Sequence, residues 1–147
     1  MRPLLVLACC CLAATACQKK TADIDIATAR TRAALALSAF ECSHLAPSPA
    51  EGSRLFNLGV GAGRDFLRFS EANVNGYKSI QNEIDPVWQA VRSRPSADFR
   101  LGELYALSTM KMAALRERSS AGVWEARRET LYRDRNCAFI VAPKKPD

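Results

Sequence analysis

The sequence predicts an all-α fold, a small bundle of about five helices held by one disulfide between the first and the last helix. Apolar residues recur every three to four positions, and no stretch alternates with the period of two that a half-buried strand shows. Breaks rich in Ser, Pro, Gly and Asn divide this pattern into segments of helical length. The 147 residues, 48% hydrophobic and 24% charged, suffice for one globular domain and exclude wholesale disorder.

The first two predicted helices meet at a break that contains proline. The first begins near Ala27 and ends before Pro47. The second starts at Ser48, whose hydroxyl caps free backbone N–H groups, and Glu51 follows three residues later as in a capping box. We expect this helix to reach about Glu71. The apolar faces of the two helices are formed by Leu35, Ala39, Cys42 and Ala46, and by Leu55, Leu58, Ala62, Phe66 and Phe69.

The second half of the chain predicts three more helices. A turn is expected over 73–76, and the third helix should kink or restart at Pro86 with Asp85 as its cap. Ser96 caps the fourth helix, which is apolar on two faces and is therefore predicted to be central. The last helix is expected to continue to Val141. The two faces of the fourth helix are formed by Phe99, Gly102, Ala106, Met110 and Ala113, and by Leu101, Leu104, Leu107 and Leu115.

The N-terminus has the features of a secretory signal. Arg2 gives a basic start, and the run from Leu4 to Ala14 carries no charge. This run is too short to cross a bilayer, which takes about 20 apolar residues. It fits the apolar region of a signal peptide, which has roughly 7–15 residues. Small residues and then a cysteine follow at once, in the order Ala-Thr-Ala-Cys over residues 14–17.

This segment resembles the lipobox of bacterial lipoproteins, although that family prefers Leu where Ala14 stands. The resemblance implies that residues 1–16 are a removed signal peptide and that Cys17 becomes the acylated first residue. Gln18 replaces the Asp that would signal retention in the inner membrane, which implies the outer membrane and a domain facing the periplasm. The membrane is then a partner through the lipid anchor. The alternative is an ordinary cleaved signal in which Cys17 is incidental.

The remaining chain divides into three parts. Residues 17–23 are the lipidated cysteine and a tether, residues 24–142 form the helical domain, and residues 143–147 are a polar tail. Three of the six cysteines leave with the signal and one receives lipid, so that Cys42 and Cys137 remain. An even pair in an oxidising compartment predicts a disulfide, and two buried free thiols are the alternative.

No constellation in the sequence predicts catalysis, so we expect the protein not to be an enzyme. The glycines over 59–63 lack the spacing of a nucleotide-binding loop and lie in a helical pattern, which favours close helix packing. His44 lies two residues from Cys42, does not face it on a helix, and is expected at the surface or at a helix end. Glu103, beside Gly102, is the best candidate for a perturbed acid, and its alternative is a solvated or Arg-paired residue.

Metal, cofactor and nucleic-acid binding are not expected. Two cysteines and one histidine are too few for a closed zinc site. Without Arg2, the 21 basic residues of the chain become 20, against 15 acidic residues with which they are interleaved. This interleaving indicates a solvated surface, and an electrostatic footprint for an acidic partner is the alternative. The 7% aromatic content and the predicted compartment exclude nucleic acid.

The build of the chain resembles the small helical, disulfide-bonded periplasmic immunity proteins that neutralise secreted effectors. This resemblance concerns only the general pattern of the chain, so no interface residue of those proteins can be assigned to a position in this sequence. It implies a protein that acts by binding a secreted effector. The alternative is a structural or assembly lipoprotein of the outer membrane. Loop position makes the following residues candidates for an exposed interface: Glu71, Asn73, Asn75, Tyr77, Lys78 and Arg92 to Arg94.

Overall fold

The computed structural model describes residues 24–141, and in this range it confirms the all-α prediction with six α-helices and no strand. Predictions that concern the signal peptide, Cys17, the tether and the polar tail lie outside this range. A short 3₁₀ turn follows the last helix. The helices are α1 (Ile26–Leu45), α2 (Pro49–Ala72), α3 (Val74–Ile80), α4 (Val87–Ala90), α5 (Ala97–Glu117) and α6 (Ala121–Asp134), and the 3₁₀ turn is Cys137–Phe139.

The contact between α1 and α2 is the most extensive contact between two helices of the fold. The two helices run antiparallel, and small residues allow them to approach closely. A Cβ atom on Gly59 would lie 2.7 Å from ring carbons of Phe40 and 3.2 Å from the carbonyl oxygen of Ala36. Because α2 is continuous through 59–63, this segment forms no phosphate-binding loop; Gly59 and Gly63 serve packing, whereas Gly61 faces open space.

Two clusters of buried side chains form the core. The larger one joins α1, α2, α3, α4 and α5 and includes the fully buried Phe40 and Phe66, with Trp88 2% exposed. Burial of one such side chain stabilises the fold by roughly 1.5–3 kcal/mol. The smaller cluster surrounds the disulfide at the other end of α1. It consists of Cys42, Leu45, Leu55, Met112, Trp124 and Cys137.

The predicted helix caps are present. The Ser48 hydroxyl accepts a hydrogen bond from the backbone N–H of Glu51 at 3.2 Å, and the Ser96 hydroxyl accepts one from Phe99 at the same distance. The Asp85 carboxylate accepts a hydrogen bond from the N–H of Val87 at 3.0 Å, directly after Pro86. The interrupted third helix is therefore confirmed.

Three predictions about the local structure are wrong. The turn expected over 73–76 is instead the start of α3, because the Asn73 side chain accepts a hydrogen bond from the N–H of Gly76 at 2.8 Å and caps a new helix. Tyr77, expected to be exposed, is only 2% exposed, because α3 turns its ring into the core. The last helix ends at Asp134, since Asn136 adopts a left-handed conformation with φ of 53°.

The fourth predicted helix, α5, is not central. It buries one stripe, which consists of Leu101, Leu104, Ser108 and Met112. The opposite apolar side, called here the outer face of α5, is exposed; it consists of Phe99, Gly102, Ala106, Met110 and Ala113. The central position belongs to α1, which contacts α2, α3, α5 and α6. The sequence alone indicates that α5 has two apolar sides. It does not indicate that one of these sides lacks a neighbour within residues 24–141.

The disulfide between Cys42 and Cys137 is present, with Cα atoms 5.5 Å apart and both residues buried. It joins late α1 to the 3₁₀ turn that follows α6. The two cysteines are 95 residues apart, so in the loop-entropy model the bond stabilises the fold by roughly 4–5 kcal/mol.

We expect the double variant Cys42→Ser and Cys137→Ser to lose roughly 3–5 kcal/mol of unfolding free energy, because its unfolded chain is no longer constrained. Urea unfolding followed by circular dichroism measures the difference. Reduction of the wild type should lower its midpoint toward that of the variant, whereas reduction of the variant should change nothing. Equal midpoints for the oxidised wild type and the variant would contradict this account.

A polar clamp joins the start of α2 to α6. The Glu51 carboxylate accepts two hydrogen bonds from Arg54, both at 2.7 Å, and one from the Tyr132 hydroxyl, also at 2.7 Å. These bonds from Arg54 and then Tyr132 lower the pKa of Glu51 from its ordinary value near 4.5 to about 2. Burial and the Glu51 carboxylate raise the pKa of Tyr132 to about 12.

Because the pKa of Glu51 is lowered in the folded state, its contribution to stability is complete above about pH 4.5 and is lost as the pH falls toward 2. We expect Glu51→Gln to cost about 1 kcal/mol at pH 7, since the clamp is only partly buried. The difference from wild type should vanish near pH 2. Unfolding curves measured across this range test the effect.

Glu125→Gln is the matched control, because Glu125 binds Arg128 on the same helix and its side chain is 64% exposed. Its cost should stay below about 0.5 kcal/mol at pH 7. If Glu51→Gln followed the same pH curve as wild type, the clamp would contribute nothing to acid sensitivity.

Candidate protein-binding groove

Four ring side chains meet where α1, α2 and α5 come together. This aromatic cluster consists of Phe40 and His44 from α1, Phe56 from α2 and Tyr105 from α5. The Tyr105 ring packs edge-on against Phe56 at 4.9 Å between centroids and against Phe40 at 5.6 Å, and it stacks on His44 at 4.7 Å. Edge-to-face and offset pairs of this kind stabilise an arrangement by about 0.5–1.5 kcal/mol each, which holds Tyr105 in place.

Helix geometry explains this meeting. Phe40 and His44 are four residues apart and therefore lie on one side of α1. Phe56 approaches the same side from α2, and its ring lies 6.0 Å from that of Phe40. Tyr105 lies beside the buried stripe of α5 and is half-buried rather than buried. The cluster therefore closes the core on its inner side and reaches solvent on its outer side.

A groove runs along the surface between α2 and α5, over Phe56 and Tyr105. One half has a volume of about 290 Å³ and largely apolar walls, and the other half, near the start of α2, has a volume of about 450 Å³. Phe56 and Tyr105 line both halves, so the two halves adjoin at these rings. The apolar half is also lined by Val60, Leu101, Gly102, Arg64 and Asp98.

Polar groups border the apolar half of the groove. The Arg64 guanidinium contacts the Asp98 carboxylate at 2.9 Å, and both side chains are more than half exposed. Ser53 and Asn57 supply neutral hydrogen-bonding groups along the other half. An apolar floor with a polar rim is the arrangement that protein interfaces show, with aromatic residues as anchors.

His44 forms a polar contact that resembles a catalytic pair at first sight. Its Nε2 atom lies 3.1 Å from the Ser108 hydroxyl oxygen and 3.2 Å from that of Thr109. Both hydroxyls, however, donate to the Tyr105 carbonyl oxygen, at 2.7 and 2.9 Å. Because both hydroxyl protons point to this carbonyl oxygen, the contact fits the tautomer that carries its proton on Nε2, and it positions the imidazole over the ring of Tyr105.

His44 is half-buried and lies in the last turn of α1, which agrees with the expected helix end and not with a surface position. Burial lowers the pKa of His44, and the hydrogen bond that involves the backbone of Tyr105 opposes this effect. Within residues 24–141, no group of three or more His, Cys, Asp or Glu side chains is arranged to hold a metal ion.

Glu103 is Arg-paired, the alternative that the sequence left open. Its carboxylate accepts hydrogen bonds from Arg94 Nε at 2.6 Å and from a second Arg94 nitrogen at 2.8 Å. These bonds lower the pKa of Glu103. A general acid for glycoside cleavage needs a raised pKa, so this carboxyl group is tuned in the opposite direction.

A second groove of about 590 Å³ runs beside α1. The Arg30–Glu83 ion pair, at 2.9 Å, lies along it, and Glu41 is bound by Lys111 at 2.5 Å and by Arg135. No aromatic side chain between residues 24 and 141 lines this second groove, whereas Phe56 and Tyr105 line the groove between α2 and α5, which is therefore the better candidate for a protein-binding surface.

The loop residues proposed from sequence do not form a single site. Glu71 binds Arg100 at 2.7 Å, Asn73 caps α3, and Arg92 lies 4.4 Å above the centre of the buried Tyr77 ring. Asn75 and Lys78 are exposed. Most of these side chains therefore support the fold, and none lines the groove.

Sequence reasoning missed the groove residues Phe56, Val60 and Tyr105. Phe56 and Val60 are four residues apart and mark a second apolar side of α2, and that spacing was the available signal. Tyr105 carried no signal, because its place beside the core depends on how α5 packs on α1 and α2.

No family model, curated protein or solved structure matches this chain. Among the described helices, none combines the length and apolarity that crossing a membrane requires.

Proposed function

We propose that this chain is a lipid-anchored protein of the bacterial outer membrane that faces the periplasm and acts by binding another protein. In this proposal it is not an enzyme, and its partner is a secreted effector that it neutralises. The observation that carries the proposal is the groove between α2 and α5, with its apolar floor of Phe56 and Tyr105. An attached, compact bundle of this kind acts by presenting a surface to its partner.

The proposed location is supported by the N-terminal sequence and by the disulfide. The apolar run and the Ala-Thr-Ala-Cys order over residues 14–17 resemble a lipoprotein signal. The Cys42–Cys137 bond agrees with a periplasmic location, since disulfides persist in oxidising compartments such as the periplasm.

The proposed mode of action is supported by the groove. Its floor offers half-buried aromatic surface, and its rim carries the exposed Arg64–Asp98 pair. A partner that inserts an apolar side chain beside Phe56 and Tyr105 gains hydrophobic burial there. Its polar groups can replace one member of the rim pair, since an exposed ion pair contributes at most about 1 kcal/mol.

Lipidation is tested by Cys17→Ser in the full chain. We expect the wild type to sediment with the outer membrane and to carry the mass of the acyl groups. The variant should be soluble or keep its signal peptide, because position 17 no longer carries a thiol to acylate. Membrane fractionation and intact mass spectrometry give the answer, and an unchanged membrane fraction for the variant would contradict the anchor.

Partner binding is tested by Val60→Lys, which places a charge in the apolar half of the groove. The lipidated protein is crosslinked in cells, extracted in mild detergent, and its partners are identified by mass spectrometry. We expect a stoichiometric secreted protein with wild type and at least about tenfold less with the variant, the effect of losing a central contact.

Val123→Lys is the matched control, because Val123 is 57% exposed on α6 and lies outside the groove. It should retain the partner, and both variants should keep the helix content of wild type. Capture of a resident envelope protein instead of a secreted one would support the structural or assembly role. Equal capture by all three proteins would rule out the groove.

A further inference from the structure

The outer face of α5 is an apolar surface that is open to solvent along most of the helix. Phe99 is 54% exposed and Met110 is 67% exposed, and the small residues between and beyond them are exposed as well. This face lies opposite the buried stripe of α5, so no neighbouring helix within residues 24–141 covers it. An apolar helix face of this kind marks an interaction surface.

We propose that the outer face of α5 binds the same face of a second copy of this chain. The two α5 helices run antiparallel about a two-fold axis that passes through Ala106. A two-fold interface uses one patch on both copies, so the patch must be complementary to itself. The outer face of α5 meets this requirement in shape and in charge.

The shape argument follows from the spacing of large and small residues. With Ala106 on the axis, Phe99 lies against the partner's Ala113, and Met110 lies against the partner's Gly102. Each large side chain thus meets a small residue. A Cβ atom on Gly102 would meet nothing within 4 Å, so there is open space for the partner's Met110. Ala106 at the crossing point allows the helix axes to approach to about 9 Å.

The charge argument concerns the two flanks of α5. A two-fold axis perpendicular to both helices places the same flank of each copy together. Asp98 and Arg116 lie on one flank, a whole number of helical turns apart, and Glu103 lies toward the other. In the antiparallel arrangement Asp98 comes within about 3 Å, along the axis, of the level of the partner's Arg116.

Asp98 already forms an exposed ion pair with Arg64 within the chain, and such a pair rearranges at little cost. Arg116 forms no ion pair with any residue between 24 and 141. The antiparallel direction also opposes the two helix dipoles.

A neighbouring register is less favourable. Shifting the axis toward the N-terminus would stack Phe99 on the partner's Met110. It would also bring the two Glu103 residues within about 5 Å along the axis, whereas the proposed register keeps them about 9 Å apart. Repulsion between these carboxylates favours the register centred on Ala106.

The proposed contact is small. From Phe99 to Ala113 the outer face extends about 21 Å, which is less than an interface of about 800 Å² per partner requires. We therefore expect a weak dimer that forms at high local concentration. Covalent trapping at the axis is the appropriate measurement for such an association.

The test is Ala106→Cys in the full chain, made in an oxidising compartment and extracted in mild detergent. At the axis the two Cα atoms should be about 4–5 Å apart, which a disulfide can span. We expect most of this variant to form a disulfide-linked dimer, with the 106–106 peptide identified by mass spectrometry.

Ala113→Cys is the matched control, an exposed alanine on the same face of the same helix. In the proposed arrangement its two copies are about 21 Å apart, so it should remain monomeric. Equal crosslinking of both variants would indicate random collision or a parallel arrangement and would overturn the proposal. Failure of Ala106→Cys to crosslink would overturn it as well.

The charge argument is tested on the Ala106→Cys background. Adding Arg116→Asp should lower the yield of linked dimer several-fold, and adding Asp98→Arg to that protein should restore it. If the yield of linked dimer stayed the same after both changes, the Asp98–Arg116 pair would not contribute to the dimer. Gly102 and Asp98 belong to both surfaces. None of these readouts needs a captured partner, however, and Val60 lies outside the outer face of α5, so loss of the dimer and loss of groove binding by Val60→Lys are separate results.

Discussion

The close contact between α1 and α2 is the constraint on which the rest of the structure depends. Gly59 lets the Phe40 ring lie against the backbone of α2, and the small residues of α1 face the same contact. This closeness fixes where α5 can pack, since α5 rests on both helices. It also determines that Phe40, Phe56 and Tyr105 meet, and so it produces the floor of the groove.

The sequence predicted those features that depend on local chemistry. Ser48, Ser96 and Asp85 could be identified as caps because capping depends on a few neighbouring residues. The Cys42–Cys137 pair followed from counting cysteines after assigning a signal peptide. The close packing of Gly59 followed from its spacing to the next glycine on one helix face.

The features that depend on tertiary packing could not be read in the same way. The sequence predicts a turn at Asn73 where a helix begins, because a turn and a helix cap use the same side-chain hydrogen bond. The apolar pattern of α5 did not distinguish a face that packs within the chain from one that lies open. The groove could not be predicted, because Tyr105 becomes part of its floor only when α1, α2 and α5 pack together.

The attachment of α6 has a consequence for the dynamics of the fold. Only Trp124 of this helix is buried, and the Arg128 side chain donates to the carbonyl oxygen of Ala46 at the end of α1. The polar clamp, the disulfide and the Arg135–Glu41 ion pair add to its connections. Helices held by so few apolar contacts open locally while the rest of a domain stays folded. Amide hydrogens of α6 should therefore exchange with solvent faster than those of α1, with the disulfide keeping the opened helix close to its site.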